Sequence, residues 1–326
     1  MRRSLALVTL AALPFGASPA FAWRQSEPTP SPAPTPSPPP TPPSEGVRMQ
    51  RLHADLAALS ANAPGRLGIA VVDVRQGTRF TTRGDEPFPL ASVAKLAIAL
   101  VVFRRVDQHT FDLDQRIEIA ATDLRHGLSP IAERHPHGGA SYTYAELVRA
   151  MLIESDDTAS DVLLKAVGGA AAVQAFLTHA HLSGFDFRKT EADIYNDAVA
   201  RRTFATGADN SATPNAVASM LAGIATQQFL RLDSNNELLQ LLSEVRTGSA
   251  LLRAGLPAAA PLAHEPGTSF TLGSTTDATN DAGLFTLPEG QRVAIVAFLA
   301  ESTADAAMRE AVLANVARTV YSAYVP

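Results

Sequence analysis

The sequence contains no cysteine, and among its 326 residues lysine occurs only at Lys95, Lys165 and Lys189. The absence of cysteine excludes disulfides, thiolate nucleophiles, cysteine-ligated zinc and iron–sulfur centres, and acylation of a cysteine behind an export signal. The formal net charge of −5 gives no basic footprint of the kind that binds nucleic acid. Aromatic residues make up only 6% of the chain, so we expect a core that is aliphatic and rich in alanine.

Residues 1–22 have the composition of an export signal. Two arginines near the N-terminus precede an apolar run over residues 5–15, and Ala20 and Ala22 are the small residues that a signal peptidase reads. The apolar run is too short for a typical membrane span, and no later stretch is long and apolar enough to form one. We therefore predict a periplasmic or secreted protein, with an N-terminal membrane anchor as the alternative.

Residues 23–46 consist largely of proline with threonine, serine and alanine, and they have no periodic apolar face. Such a segment cannot bury a core, and its prolines favour the extended polyproline II conformation. We interpret it as a disordered spacer, with a tether to the cell wall or to a partner as the alternative. Residues 47–326 then form one folded domain.

The apolar patterns of this domain predict strands near both of its ends and helices between them. The predicted strands cover residues 65–74, 79–83, 267–272, 281–287 and 292–299. The predicted helices cover residues 47–62, 92–108, 143–154, 158–167, 215–229, 237–245 and 303–323. This order predicts an α/β fold in which one antiparallel sheet is built from both termini and the middle of the chain forms a helical lobe.

The segment Ser92-Val93-Ala94-Lys95 places a hydroxyl and an amine three residues apart at the start of a helix. Residues at this spacing lie on one helix face, so the two side chains can meet. A serine becomes a nucleophile when a neighbouring base takes its proton, and an unprotonated lysine can act as that base. The alternative is a surface lysine whose ammonium reaches solvent.

Three further polar segments are candidates for the same site. Ser155-Asp156-Asp157 lies at the junction of two predicted helices, where Ser155 or Asp157 could equally be the N-cap of the second helix. Glu191 lies in a polar, weakly periodic stretch and by itself is an ordinary loop carboxylate. His264-Glu265-Pro266-Gly267 opens the late series of strands, where proline indicates an edge position or a strand start.

The order and spacing of these segments resemble class A serine β-lactamases, which carry S-x-x-K, then S-D-N, then a loop glutamate, then K-T-G. The resemblance is greatest to the extended-spectrum branch that includes the PER enzymes, and it extends from about residue 52 to the C-terminus. The matching segments are LASVAKLAIALVVFRRVDQHTFDLDQRI, ESDDTASDVLLKAVGG, TEADIYND and ATNDAGLFTLPEGQRVAIVAFLAES.

The resemblance implies a role for each candidate residue. Ser92 would open a lactam amide as the nucleophile of an acyl-enzyme, and Lys95 would be its base or proton relay. Ser155 would pass a proton towards the leaving nitrogen, and Glu191 would hold the water that hydrolyses the ester. The backbone N–H groups of Ser92 and Thr268 would form the oxyanion hole. The residues implied in substrate binding are Asp157, Glu265, Gly267, Thr268 and Ser269. No metal and no organic cofactor is implied.

The sequence departs from the family pattern where the family anchors its substrate. Asp157 stands in place of the asparagine of S-D-N, and an ionised carboxylate accepts hydrogen bonds but donates none. The K-T-G motif reads Glu265-Pro266-Gly267, which reverses one charge and removes one hydroxyl. We expect an acidic cleft that raises the pKa of Lys95. Tyr195, four residues after Glu191, occupies a position where many relatives have asparagine.

Glu265 has two ways to be accommodated beside the other carboxylates. It is either protonated or neutralised by an arginine, for which the candidates are Arg246, Arg253 and Arg292. The sequence leaves both alternatives open.

The leading hypothesis is an exported β-lactamase-type serine hydrolase that acts as a monomer on a small-molecule substrate. The first alternative is a related serine hydrolase or penicillin-binding protein with a non-lactam substrate. The second is a catalytically silent fold that serves as a binding module. A third alternative, a metal site at Glu133, His135 and His137, depends on a compact H-P-H spacing in a loop rich in proline and glycine.

Overall fold

The computed structural model describes residues 44–201 and 210–325. Its helices begin and end as the apolar patterns predict, to within a few residues in most cases. The helices are α1 (Glu45–Ala61), α2 (Lys95–Asp107), α3 (Pro130–Arg134), α4 (Tyr144–Ile153), α5 (Asp157–Ala166), α6 (Gly169–His179), α7 (Glu191–Arg201), α8 (Pro214–Ala225), α9 (Leu232–Ser243), α10 (Leu252–Gly255) and α11 (Ala306–Tyr324). Short 3₁₀ turns cover Ala91–Ala94 and Ala121–Asp123.

Strands from both ends of the domain join in one sheet, as predicted. They are β1 (Arg66–Asp73), β2 (Arg79–Thr82), β3 (Phe88–Pro89), β4 (Arg116–Ile119), β5 (Ala140–Thr143), β6 (Phe185–Asp186), β7 (Ser211–Ala212), β8 (Leu262–Thr268), β9 (Thr271–Leu272), β10 (Thr275–Thr286) and β11 (Arg292–Ser302). The main sheet has the order β2-β1-β11-β10-β8, with β9 paired to β10. Every pairing in it is antiparallel, so the predicted α/β fold is confirmed.

The central strands β1, β10 and β11 are buried along nearly their whole length because both faces of the sheet are covered. One face packs against α1 and α11 and contributes Leu67, Ile69 and Ile295 to an aliphatic core. The other face contributes Val296 and Phe298 to a larger core shared with α2 and the helical lobe. Since α2 lies inside this second core, every residue from Lys95 to Phe103 is buried.

Besides the short helices α3 and α10, the longer helices α6 and α7 lie where the sequence patterns indicated none. Helix α6 begins directly after Gly168, which takes the left-handed conformation (φ 100°) at the 74° bend between α5 and α6. Helix α7 begins at Glu191, so this residue does not lie in the loop that its polar surroundings suggested. The start of α7 has a reciprocal cap, in which Thr190 and Asp193 each accept a hydrogen bond from the other's backbone N–H. The spacing of these two residues is a local signal that the sequence contains.

Helix α1 begins at Glu45, two residues before the predicted start of the folded domain. The predicted signal segment and nearly all of the proline-rich spacer lie outside the described residues. Within the described residues, no single helix is long and apolar enough to cross a membrane, although the bent pair α5 and α6 satisfies that test of length and composition when joined.

Candidate active site

Ser92 lies on the 3₁₀ turn that leads into α2, and Lys95 is the first residue of that helix. The turn begins with Ala91 at a φ of 46°, a left-handed conformation that costs a non-glycine residue about 1 kcal/mol or more. Asn280 on β10 helps to hold this backbone, because its side-chain amide donates to the carbonyl oxygens of Pro89 (2.7 Å) and Leu90 (3.2 Å). The nucleophile loop is thus fixed by a strand of the main sheet.

The ammonium of Lys95 is fully buried and connects the polar groups of the site. Its Nζ donates to Ser92 Oγ (3.2 Å), to Ser155 Oγ (3.0 Å) and carbonyl O (2.7 Å), and to Asp157 Oδ1 (2.8 Å). The alternative of a surface lysine is therefore wrong. Burial alone would lower the pKa of Lys95, but the carboxylates of Asp157 and Glu191 outweigh it and raise that pKa above the ordinary value. The sequence predicted this direction, and it makes Lys95 a hydrogen-bond donor in the resting protein.

The middle residue of the Ser155-Asp156-Asp157 segment has the structural role. Asp156, rather than Ser155 or Asp157, is the N-cap of α5, and its Oδ1 accepts from Ala159 N at 2.8 Å. Its Oδ2 accepts from Ile131 N at 2.7 Å, so it also holds the neighbouring loop. Since Asp156 does the capping, Ser155 and Asp157 are free to face Lys95. Ser155 adopts a left-handed φ of 55° as it turns towards the lysine.

Asp161, on α5, positions Glu191 and was missed by reasoning from the sequence. Its carboxylate accepts hydrogen bonds from the backbone N–H groups of Glu191 (2.7 Å) and Ala192 (3.0 Å). These groups lie in the first turn of α7, where the helix itself supplies no acceptor. The same carboxylate binds the guanidinium of Arg125. The signal was present as an aspartate one turn along the helix from Asp157, but its partner, a helix start 30 residues away, becomes visible only in the fold.

These elements enclose a cleft of about 300 Å³ at the C-terminal end of β8. Its lining brings together most of the residues predicted from the motifs, and these are Ser92, Ser155, Asp157, Glu191, Gly267, Thr268 and Ser269. Strand β8 passes very close to the nucleophile, since a Cβ added to Gly267 would lie 2.8 Å from Ser92 N. Only glycine permits this approach, and the next residue of the strand, Thr268, also lines the cleft.

Glu265 was predicted to bind substrate, but it does not line the cleft. Its side chain is 0% exposed and neither carboxyl oxygen has a hydrogen-bond partner. Burial raises the pKa of Glu265 well above its ordinary value; Lys95 opposes this shift and Asp281 adds to it. Of the two alternatives left open by the sequence, the burial of Glu265 and the direction of its pKa shift favour the neutral acid.

The arginines proposed as its partners lie elsewhere. Arg253 donates to the carbonyl oxygens of Ala260 and Pro257, and Arg292 donates to that of Ala225. The charged groups that influence Glu265 are Lys95 and Asp281, and Arg246 is not among them.

The third alternative, a metal site at Glu133, His135 and His137, has no support in the geometry. Within the described residues, no three histidine or carboxylate side chains converge in a manner that could hold a metal ion. His135 instead packs its ring edge-on against Tyr142, with 6.0 Å between the ring centroids.

Comparison with known proteins identifies the family to which this arrangement belongs. A profile of the β-lactamase enzyme family matches residues 51–324. β-Lactamase VEB-1 of Pseudomonas aeruginosa is 32% identical over 263 residues, which cover 80% of this chain and 86% of VEB-1. The crystal structure of an ancestral class A β-lactamase is 36% identical and superposes with a TM-score of 0.74, covering 83% of this chain and 99% of the ancestral protein. The chain belongs to the class A β-lactamase family.

The family assignment predicted from the motifs is therefore confirmed. The extended-spectrum β-lactamase PER-1 of Pseudomonas aeruginosa is also a relative, 30% identical over 237 residues that cover 72% of this chain and 75% of PER-1. Against this background, the substitutions at Asp157 and Glu265 are departures within a family member, and the structure shows that both are accommodated around the buried Lys95.

Proposed function

We propose that the chain is a serine β-lactam hydrolase that forms an acyl-enzyme on Ser92. The observation that carries this proposal is the contact of one buried ammonium, Lys95 Nζ, with both Ser92 Oγ and Ser155 Oγ inside a cleft that Glu191 also lines. Homologues of the chain are class A β-lactamases, which supports the same reaction. Because the activity depends on the site and not on the fold alone, the role of each residue is derived below from the geometry of the site.

In acylation, Ser92 Oγ attacks the lactam carbonyl carbon, a C–O bond forms and the C–N bond breaks. The charged Lys95 cannot take the serine proton, so we assign that proton to Glu191 through a water molecule. Ser155 delivers its proton to the leaving nitrogen and recovers one from Lys95. The proton that Glu191 took then restores the charge of Lys95, so Glu191 is again a carboxylate before deacylation. The backbone N–H groups of Ser92 and Thr268 stabilise the oxyanion, an effect worth about 10²–10³ in rate per donor in comparable sites.

In deacylation, a water molecule held by Glu191 attacks the ester carbon. Glu191 takes one proton of that water, and this proton is passed on to Ser92 Oγ as the ester C–O bond breaks. Asp157 keeps Lys95 oriented between the two serines, while Gly267 and Ser269 complete the strand that supports the substrate. Glu265, as a neutral acid, adds no charge to the cleft.

The test is intact-mass spectrometry of the mature protein with a penicillin and with a cephalosporin, while absorbance follows loss of the lactam. We expect turnover that Ser92→Ala abolishes and that Ser243→Ala, a substitution at an exposed serine of α9, leaves unchanged. A stable adduct on Ser92 without turnover would instead indicate a penicillin-binding protein whose deacylation fails. Neither adduct nor turnover would refute the proposal and favour a non-lactam substrate or a silent binding module.

The location and assembly of the protein follow from the same interpretation. The relatives are bacterial β-lactamases, and we infer that residues 1–22 direct export and that residues 23–46 act as a spacer before a domain spanning residues 47–326. Mass spectrometry of the exported protein would give the cleavage site, and we expect it directly after Ala22. A monomer is expected in solution, which light scattering can check.

A further inference from the structure

A groove on the helical lobe lies between the C-terminal end of α2, helix α6 and the segment that follows α8. Its volume is about 490 Å³, which is within the range of cavities that hold small organic molecules. None of the described residues along this groove also lines the cleft around Ser92, so the groove is a separate site. Its polar side chains are those of Arg104, Arg105, Gln108, His179 and Gln228.

The rest of the groove is apolar. Phe176 of α6 and Phe229, which follows α8, both line it. Their rings pack edge-on against each other, with 6.3 Å between the centroids and an angle of 71°. Both side chains are only partly buried, and Ala172 and Ala175 of α6 line the same space. An apolar molecule can therefore remove part of its surface from water here.

Two adjacent arginines give the groove its charge, and neither is paired with a carboxylate. Arg104 Nη1 donates to the carbonyl oxygen of Phe229 over a long 3.4 Å. Within the described part of the chain, the guanidinium of Arg105 has no hydrogen-bond acceptor and no ion-pair partner. By contrast, several other arginines of the lobe are ion-paired with carboxylates, and these are Arg125, Arg134, Arg149 and Arg188.

The surroundings supply little negative charge to balance the two arginines. No aspartate or glutamate is among the described residues that line the groove. Asp107, the carboxylate nearest in sequence, instead accepts hydrogen bonds from Arg231 N (2.6 Å) and Ser234 Oγ (2.6 Å) at the start of α9. The C-terminal end of α2 carries the equivalent of about half a negative charge, which does not balance two guanidinium groups. A concave surface with charge of one sign concentrates counter-ions, so this groove favours an anion.

We propose that this groove binds a small organic anion, in which a carboxylate or phosphate group is attached to a flat apolar body. Arg104 and Arg105 bind the anionic group, because a guanidinium matches the two oxygens of a carboxylate or phosphate. Phe176 and Phe229 contact the apolar body. The inference goes beyond the proposed function, since none of these residues takes part in the chemistry at Ser92.

The occupant is a free small molecule and not a membrane lipid. Binding to a bilayer requires large apolar side chains that protrude from the protein surface. The large apolar side chains that are exposed in the described residues all lie outside the lining of the groove, and these are Val47, Leu128, Val199, Leu232, Phe270 and Met308.

The experiment compares indole-3-acetate with indole-3-acetamide, which have nearly the same shape and differ in charge. Binding to the mature protein is measured by NMR titration of the backbone amides at low salt and about pH 8, so that guanidinium groups and not imidazoles supply the positive charge. Inorganic phosphate tests the anionic group without an apolar body. Flotation with phosphatidylglycerol vesicles tests a lipid as the occupant.

We expect the acetate to bind about 5- to 30-fold more tightly than the amide at low salt, because two partly exposed guanidinium groups contribute to the difference. The shifted amide signals should belong to the end of α2, to α6 and to residues 228–229. The preference should weaken as salt is added. Inorganic phosphate should bind more weakly than the acetate, and the vesicles should not retain the protein.

Combining Arg104→Gln with Arg105→Gln should bring the ratio of the two affinities close to one. The matched control combines Arg51→Gln with Arg318→Gln, which removes the same charge from exposed positions of α1 and α11 on the other side of the main sheet, and it should leave the ratio unchanged. Phe176→Leu should weaken the binding of both compounds and preserve their ratio, because it alters only the apolar contact.

Equal binding of the acetate and the amide, or no binding of either at millimolar concentration, would overturn the inference. A preference that survives the double substitution at Arg104 and Arg105 would overturn the location of the site. Inorganic phosphate that binds as tightly as the acetate would overturn the role of the apolar body. Vesicle binding that depends on the same two arginines would overturn the assignment to a free small molecule.

Discussion

Replacing Glu265 with glutamine should change how the stability of the protein depends on pH. Glu265 is fully buried, and neither of its carboxyl oxygens has a hydrogen-bond partner. Burial raises its pKa well above the ordinary value in the folded protein, whereas in the unfolded chain the residue titrates near the reference value of about 4.3. Over the interval between these two values, the folded protein holds a proton that the unfolded chain has released.

The sign and size of the effect follow from this difference. Below the unfolded pKa the carboxyl is neutral in both states, so Glu265 carries no penalty there. Each pH unit above it lowers the free energy of unfolding by about 1.4 kcal/mol, until the pH reaches the raised folded value. Glutamine has a similar size and no such titration. The stability advantage of Glu265→Gln over the natural protein should therefore grow by about 1.4 kcal/mol per pH unit across that interval.

Urea unfolding followed by far-UV circular dichroism at about pH 4.5, 5.5 and 6.5 measures this difference. Glu289→Gln, at an exposed position in the turn between β10 and β11, is the matched control, because the same substitution there removes a carboxylate from solvent. Parallel curves for Glu265→Gln and the natural protein would refute the reasoning. An advantage that grew towards acid pH would show that Glu265 is ionised and paired with Lys95 in the folded state.

Three further substitutions test the supports of the site. Asp156→Ala should lower the free energy of unfolding by about 2–4 kcal/mol, because it leaves buried backbone N–H groups of two segments unpaired; a loss below about 1 kcal/mol in urea unfolding would contradict this. Gly127→Ala should reduce kcat/KM for a hydrolysed lactam at least about tenfold, because its methyl group would collide with Asp157 Oδ2. The control is Gly46→Ala, where an added Cβ meets nothing within 4 Å, and it should leave kcat/KM unchanged. Asp161→Ala should reduce kcat/KM for a hydrolysed lactam at least about tenfold, because it frees the start of α7, which carries the Glu191 that both steps use. An unchanged kcat/KM would count against the assignment of Asp161.

Much of the fold could be predicted because its determinants are local. The strand at residues 65–74 and the helix at residues 92–108 are long apolar runs, and burial on both faces explains why they lack alternation. The capping box of α4 was recognisable from Thr143 and Glu146, and both of its hydrogen bonds are present. The spacing of Ser92 and Lys95 likewise fixed their contact, because three residues of helix bring two side chains together wherever the helix lies.

The helical lobe was less predictable where capping depends on distant partners. Helix α7 was missed because its sequence is polar and its first N–H groups are bound by Asp161, 30 residues earlier in the chain. The cap of α5 was assigned to the wrong residue of three, since Ser155, Asp156 and Asp157 are all good capping residues. Asp156 takes this role because its carboxylate also accepts a hydrogen bond from the backbone N–H of Ile131 in the neighbouring loop.

The sequence by itself determined which chemical groups the protein has: a serine and a lysine one helical turn apart, the polar triplet, a glutamate, and an acidic motif on the last strands. The tertiary structure alone decided how their pKa values are shifted and which groups lie beside them. Two carboxylates outweigh the effect of burial and raise the pKa of Lys95, and the sheet and helices raise the pKa of Glu265 by removing it from water. Charge state and cavity shape depend on groups that are adjacent in space and far apart in the chain, and for that reason only the folded protein specifies them.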